Sequence, residues 1–201
     1  EDFNLHFHDA ETIAATAKNT NRLFGQEKIY LDAYQQVSSP GGARFPAATQ
    51  AVQDEIYNGT LLFNYTGHGG FRRLAEEVIL DQDIINKLTN PHKLPLFVTA
   101  TCDFAPYDNP RIHSIGEDIL LREKTGAIAL MTTTRLVFAF SNKIMNQNYV
   151  QTALARKADS SYRTLGEAVK ESKNYTYTTF GDIINNRKFT LLGDPALRIA
   201  F

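Results

Sequence analysis

The chain is poor in sulphur and lacks tryptophan: it has one cysteine and two methionines in 201 residues. A single cysteine excludes an internal disulfide and, in a secreted protein, singles out the thiol as a candidate nucleophile. A charge excess is also missing, since 21 Lys and Arg face 22 Asp and Glu for a net charge of −1. Neither nucleic acid nor an anionic membrane surface is therefore an expected partner. No apolar run approaches the length of a transmembrane helix. Glu1-Asp2-Phe3 is not the basic start of a signal peptide, and there is no initiating Met. The chain reads as a fragment or processed form. It shows no repeat, low-complexity tract or linker. What it does have is 43% hydrophobic residues, 11% of all residues being aromatic. That suffices for a sizeable core, and one domain over residues 1–201 is expected.

Residues 3–8 alternate in polarity and read as a short strand or extended loop. A helix is expected over 9–24, ending at Gly25, and a strand over 28–34. Ser38-Ser39-Pro40-Gly41-Gly42 reads as a loop. Pro46 opens a helix that Gly59 ends. A strand follows over 60–66, then an irregular stretch over 71–80. Asp81 caps a helix reaching 89, before Pro91. Residues 95–101 form a strand and 103–113 a loop. Ser114 and Glu117 fit a capping box for a helix ending at Gly126, and 127–133 is a continuous apolar strand. Helices are expected over 141–158 and, from a second capping box at Thr164 and Glu167, to 175. Residues 189–195 and 196–201 read as strand, turn and strand. Strands that alternate with helices, several of them uniformly apolar, predict an α/β fold: a mostly parallel sheet with helices on both faces.

In such sheets functional residues gather beyond the carboxyl ends of the strands. Two reactive side chains stand there. Phe63-Asn64-Tyr65-Thr66-Gly67-His68-Gly69-Gly70 carries His68 into a glycine turn, and Leu96-Phe97-Val98-Thr99-Ala100-Thr101-Cys102-Asp103 ends on the only thiol. They are 34 residues apart, enough for one βαβ crossover. A neighbouring imidazole favours the thiolate and can protonate a leaving amine. The glycines after His68 leave room for a substrate carbonyl at an exposed amide, so Gly69 and Cys102 N–H groups are the candidate oxyanion donors. From the residues alone a second reading stays open, a small buried thiol beside a turn histidine. A phosphate loop is excluded by the lack of Gly-Lys-Ser/Thr, and a serine hydrolase by the lack of Gly-x-Ser-x-Gly. No metal site is expected: His68, Cys102 and His113 lack zinc-motif spacing. His6-x-His8 would share one strand face and could bind metal, or it marks a solvated edge. Asp103 and Asp108 crowd the cysteine loop and are expected to cap turns or meet substrate. Arg72, Arg73 and Arg135 are expected surface charges, with lining of the cleft as the alternative.

Asn64–Gly69, the strand end at Cys102, the Gly116-Glu117 helix start, the Gly126-Ala127 strand start and the closing Leu192-Gly193-Asp194-Pro195 together resemble peptidase family C25. This is the gingipain-like family of cysteine peptidases with a caspase-type α/β fold. The resemblance spans about residues 9–201 and leans toward the sortases of the type IX secretion system. It implies Cys102 as nucleophile, His68 as catalytic histidine, and Gly69 and Cys102 amides at the oxyanion. The implied enzyme sits at the cell surface, associated with the outer membrane and with other type IX secretion components. It cuts C-terminal sorting domains from cargo proteins and can pass the acyl group to a lipopolysaccharide amine. No cofactor is implied beyond calcium by family analogy. The family acid that selects arginine falls near His6, so arginine specificity does not carry over. His6, Asp103 and Arg135 are the candidate substrate-binding residues. The acid partner of the histidine lies upstream of the matched region, or is Glu1 or Asp2. An upstream subdomain is absent, so the fragment is expected to need it for activity. The alternatives are a docking domain of the secretion complex with a vestigial pair, and a gingipain-like secreted protease.

Overall fold

The structure, a computed structural model, describes residues 3–199. The chain begins with α1 (Leu5–Thr20), a hairpin of β1 (Val37–Ser39) and β2 (Gly42–Arg44), and α2 (Pro46–Asn58). Next come β3 (Leu62–Thr66), the two-residue strands β4 (Gly69–Gly70), β5 (Arg73–Leu74) and β6 (Leu80–Asp81), and α3 (Gln82–Lys87). β7 (Leu96–Ala100), α4 (Ile115–Leu121) and β8 (Ala129–Thr133) follow. The chain closes with α5 (Ala139–Leu154), α6 (Leu165–Phe180), α7 (Ile184–Lys188) and β9 (Phe189–Leu192).

The main sheet has the order β3-β7-β8-β9. β3 and β8 run parallel to β7, and β9 is antiparallel to β8. Because successive side chains on a strand point to opposite faces, each central strand feeds two cores. Phe97 and Leu130 join the cluster built with Val52 and Ile56 of α2, Ile84 and Ile85 of α3, and Ile119 of α4. Leu96, Val98, Ala129 and Met131 join the other, with Ile13 of α1, Met145 and Tyr149 of α5, and Leu165 of α6. Every residue of β7 and β8 is buried, which is why their sequences show no alternation.

Local signals set several element ends. Pro46 stands at the first position of α2, and Gly59, at φ +109°, ends it. Asp81 accepts from Ile84 N–H to start α3, and both capping boxes are formed, Ser114 with Glu117 and Thr164 with Glu167.

Other expectations need correction. Residues 5–8 are helical, the first turns of α1, with Leu5 and Phe7 largely exposed. Their alternation therefore marks no buried strand face. Residues 28–34 join no ladder; Ile29 and Leu31 pack on the core through an extended segment and a 3-10 turn. The expected loop at 38–42 is the β1–β2 hairpin, and the irregular stretch after Gly70 holds β5 and β6. α4 ends at Leu121, five residues before Gly126, whereas α6 runs on to Phe180. Near the C-terminus, Arg198 forms an isolated bridge with Thr164 instead of a strand. Residues 200 and 201 lie outside the described residues, as do Glu1 and Asp2, the candidate acids.

Candidate active site

β3 pairs with β7 at a constant offset of 34 residues, from Leu62 with Leu96 to Thr66 with Ala100. His68 and Cys102 each stand two residues past the last pair, beyond the ends of these adjacent strands. β7 pairs with β8 at an offset of 33, and Arg135 stands two residues past the end of β8 on the other side of β7. Contacts beyond the ladder keep the loops together. Asp103 N–H donates to the Arg135 carbonyl at 3.3 Å and Ala105 N–H to Thr133 at 3.0 Å. The Thr133 hydroxyl donates to the Thr101 carbonyl. A Cβ on Gly69 would lie 2.8 Å from Thr101 Oγ1, so the turn carrying His68 presses on the residue before Cys102.

The backbone around His68 is fixed. Its carbonyl accepts from Ala75 N–H at 2.9 Å and from the Tyr65 hydroxyl at 2.6 Å. Burial pushes the Tyr65 phenol up, so it remains a donor. The bond to Ala75 makes residues 68 and 75 a hydrogen-bonded antiparallel pair. Gly69 and Leu74 are then the non-bonded pair, and Gly69 N–H points away from β5. That leaves it available to a ligand. Cys102 N–H has no acceptor among the described residues. The two proposed oxyanion donors are thus both open.

Cys102 is half-buried, and its thiol donates to the Val137 carbonyl at 3.7 Å. Asp103 sits in the left-handed region at φ +43°, which Asp tolerates better than most residues. Burial pushes its carboxyl up, against the pull of Arg135 and Lys188. Arg135 makes a two-pronged bond to Asp108, at 2.7 Å and 2.6 Å. That pairing holds the Asp108 carboxyl below its usual range, and it offsets the carboxylate that would otherwise oppose a thiolate. Arg135 is therefore an ion-paired residue at the strand end, with its guanidinium already engaged. Arg72 is exposed, 5.2 Å from the ring of its neighbour Phe71, and Arg73 pairs with the exposed Glu76, so both are surface charges.

His6, on the first turns of α1, meets His68 edge to face, with ring centroids 4.9 Å apart and planes at 86°. Because that segment is helical, His6 and His8 point in different directions and do not share a face. His113 lies apart, 2.5 Å from Asp118 of α4. Among the described residues no group of three or more His, Cys, Asp or Glu could hold a metal ion.

Sequence reasoning missed the supports of the site. Asn64 and Asn146 exchange amide bonds at 2.7 Å and 3.0 Å, and Asn146 also donates to Thr66 at 3.2 Å. This ties α5 to the end of β3. Asn185 of α7 accepts from Phe138 N–H and donates to Asn142, steadying the segment that carries the Val137 carbonyl. Asn64 stood within the quoted motif and could have been flagged; a backbone carbonyl such as Val137 leaves no sequence signal.

The fold is that of a caspase-like α/β domain, with a thiol and an imidazole just past the ends of adjacent strands. The chain belongs to peptidase family C25, whose model matches residues 2–200. It is similar to the crystal structure of the Arg-specific cysteine proteinase gingipain R. The TM-score is 0.66 at 19% identity, over 75% of this chain and 36% of that one. It is likewise similar to the complex of Porphyromonas gingivalis RgpB pro- and mature domains, with a TM-score of 0.65, 20% identity and coverages of 74% and 36%. The chain thus spans about a third of the length of these proteins. No curated protein matches it. No helix among the described residues is long and apolar enough to cross a membrane.

Proposed function

We propose that this chain carries the catalytic centre of a cysteine endopeptidase, with Cys102 as nucleophile and His68 as acid and base. The observation that carries the reading is the shared register, which supports placing His68 and Cys102 just past adjacent strand ends. Cys102 sulfur attacks a main-chain carbonyl carbon and its proton passes to His68. The carbonyl oxygen, now negative, takes hydrogen bonds from Gly69 and Cys102 N–H. The C–N bond breaks as His68 returns the proton to the leaving amine. Water or an amine then attacks the thioester, His68 takes its proton, and the thiolate departs. Asp103, Arg135 and His6 surround this row and are the groups assigned to substrate contact.

The finer reading is a PorU-type sortase of the type IX secretion system. It would act at the cell surface with other components at the outer membrane, cutting C-terminal sorting domains and passing the acyl group to water or a lipopolysaccharide amine. A gingipain-like secreted protease is the alternative that cleavage of generic Arg or Lys peptides would support. A third reading, a docking domain with an idle pair, is favoured by one observation: the thiol donates to the Val137 carbonyl. The test is turnover by full-length protein of a cargo bearing its sorting domain. Cargo shortening that Cys102→Ala abolishes supports the sortase; processing that persists in Cys102→Ala refutes Cys102 as nucleophile. Iodoacetamide provides a second check, since native Cys102 should react at about pH 6–7 faster than a free-thiol standard, and His68→Ala should slow it.

A further inference from the structure

An imidazole that shuttles protons must be held in one orientation, and the His68 side chain is exposed at a turn. No acidic side chain hydrogen-bonds its ring among the described residues. What touches that ring is His6, edge to face at 4.9 Å. Edge-to-face packing is a favoured aromatic geometry, and it restricts a side chain whose terminal torsion is otherwise broad.

His6 is itself rigidly mounted. Its Nδ1 is sealed from solvent. One turn on, the buried Asp9 pairs with Lys143 of α5 at 3.1 Å. Further along α1, Thr16 Oγ1 accepts from Gln147 of α5 at 3.1 Å. α5 in turn is locked to β3 by the Asn64–Asn146–Thr66 bonds. The two histidines therefore hang from one frame: His68 from the end of β3, His6 from a helix bolted through α5 to that same strand. Motion of α1 relative to β3 would strain a partly buried ion pair and a partly buried amide pair.

We infer that His6 is a positioning residue, whose ring holds the His68 imidazole in the orientation it needs beside Cys102. The inference rests on the reading of His68 and Cys102 as a catalytic pair. It assigns to His6 a task that needs its ring and not its nitrogens, separate from any contact it makes with substrate.

The experiment is the rate of Cys102 alkylation by iodoacetamide at about pH 6.5, in full-length protein, which requires no peptide substrate. An edge-to-face contact is worth enough to predict a roughly three- to tenfold slower reaction in His6→Ala. His6→Phe, which keeps the ring, should react within about twofold of the wild type. In a His68→Ala background, His6→Ala should have no further effect, because its action passes through His68. The inference is overturned if His68→Ala slows alkylation while His6→Ala does not. It is equally overturned if His6→Phe is as slow as His6→Ala, or if His6→Ala slows the His68→Ala protein by the same factor. If His68→Ala leaves the rate unchanged, the catalytic pair itself falls, and the role of His6 falls with it.

Discussion

The sharpest consequence of the site geometry concerns Gly69. Its backbone is not in the left-handed region, so Ala can adopt the conformation without strain, and the whole effect of Gly69→Ala is one of space. The added methyl would stand 2.8 Å from Thr101 Oγ1, 3.1 Å from the Arg73 carbonyl and 3.1 Å from a Leu74 methyl. Ordinary contact begins at 3.4 Å, so something must give by about 0.5 Å in a close-packed interior. Thr101 and Leu74 are buried and the Arg73 oxygen belongs to a strand, so none of the three yields easily. The turn over residues 67–70 is the freer party, and it lifts away from the end of β7, taking His68 with it.

Overpacking of this kind costs about 1–3 kcal/mol, and in a chain of this size each kcal/mol lowers Tm by roughly 2–4 °C. A catalytic group displaced by about half an ångström loses on the order of tenfold in rate. Gly69→Ala is therefore expected to melt a few degrees lower and to show about tenfold slower Cys102 alkylation. Thr101→Ala removes the nearest obstacle, and Thr101 Oγ1 has no hydrogen-bond partner among the described residues, so its loss strands no other group. The Gly69→Ala/Thr101→Ala double variant should recover part of both losses. Thermal melts and alkylation rates on the four proteins complete the cycle. A Gly69→Ala protein that melts and reacts as the wild type would refute the claimed contact between the two strand ends, and so would a double variant with no recovery.

Three further perturbations test the frame. Burial raises the Asp103 carboxyl, so the folded state binds that proton more tightly than the unfolded chain; stability from this group is full below the ordinary Asp pKa of about 4 and is lost as pH rises through the raised folded value. Asp103→Asn should therefore raise Tm at pH 7, helped by the ease with which Asn adopts φ +43°, and the gain should shrink near pH 3; a gain that grows on acidification would contradict this. Asp9→Asn leaves Lys143 without its partner, and because Lys143 is about a third exposed the expected loss in urea unfolding is about 1–3 kcal/mol. Asn146→Ala orphans the Asn64 amide and should cost about 2–3 kcal/mol, whereas an unchanged unfolding midpoint would show that the amide pair is replaced by water.

The parts of this protein legible in its sequence are those where one short-range cause decides. Ser114 and Thr164 announce helices because each side chain closes a ring with a Glu three residues on. β7 and β8 announce themselves because a strand buried on both faces can be apolar throughout. Where tertiary packing decides, local reading fails. The start of α1 carries no side-chain cap, and Asn4 precedes it at φ +63°, so nothing local distinguishes it from a strand. α5 buries Asn142, Asn146 and Asn148, which a hydrophobic pattern assigns to solvent. Those asparagines are satisfied only by partners distant in sequence, Asn185, Asn64 and Thr176. The meeting of His6 with His68 is of the same kind: it exists because α1 lies across α5 and β3.

The 34-residue spacing illustrates the difference between a coincidence in sequence and a cause in structure. It equals the β3–β7 pairing offset, but the number itself carries no chemistry. Lengthening the loop at residues 75–79 or the turn at 91–94 would change the spacing and the offset together, and would leave the strand ends side by side. What matters is that each residue stands two positions past the last ladder pair. There each chain has just left the sheet, beyond strands that end side by side. Inserting one residue between Thr66 and His68, or between Ala100 and Cys102, would leave the fold intact and shift one partner by about 3 Å along the strand axis. That is the whole of hydrogen-bond reach, so such an insertion should silence Cys102 reactivity at little cost in Tm. One of the same length at 91–94 should leave that reactivity unchanged.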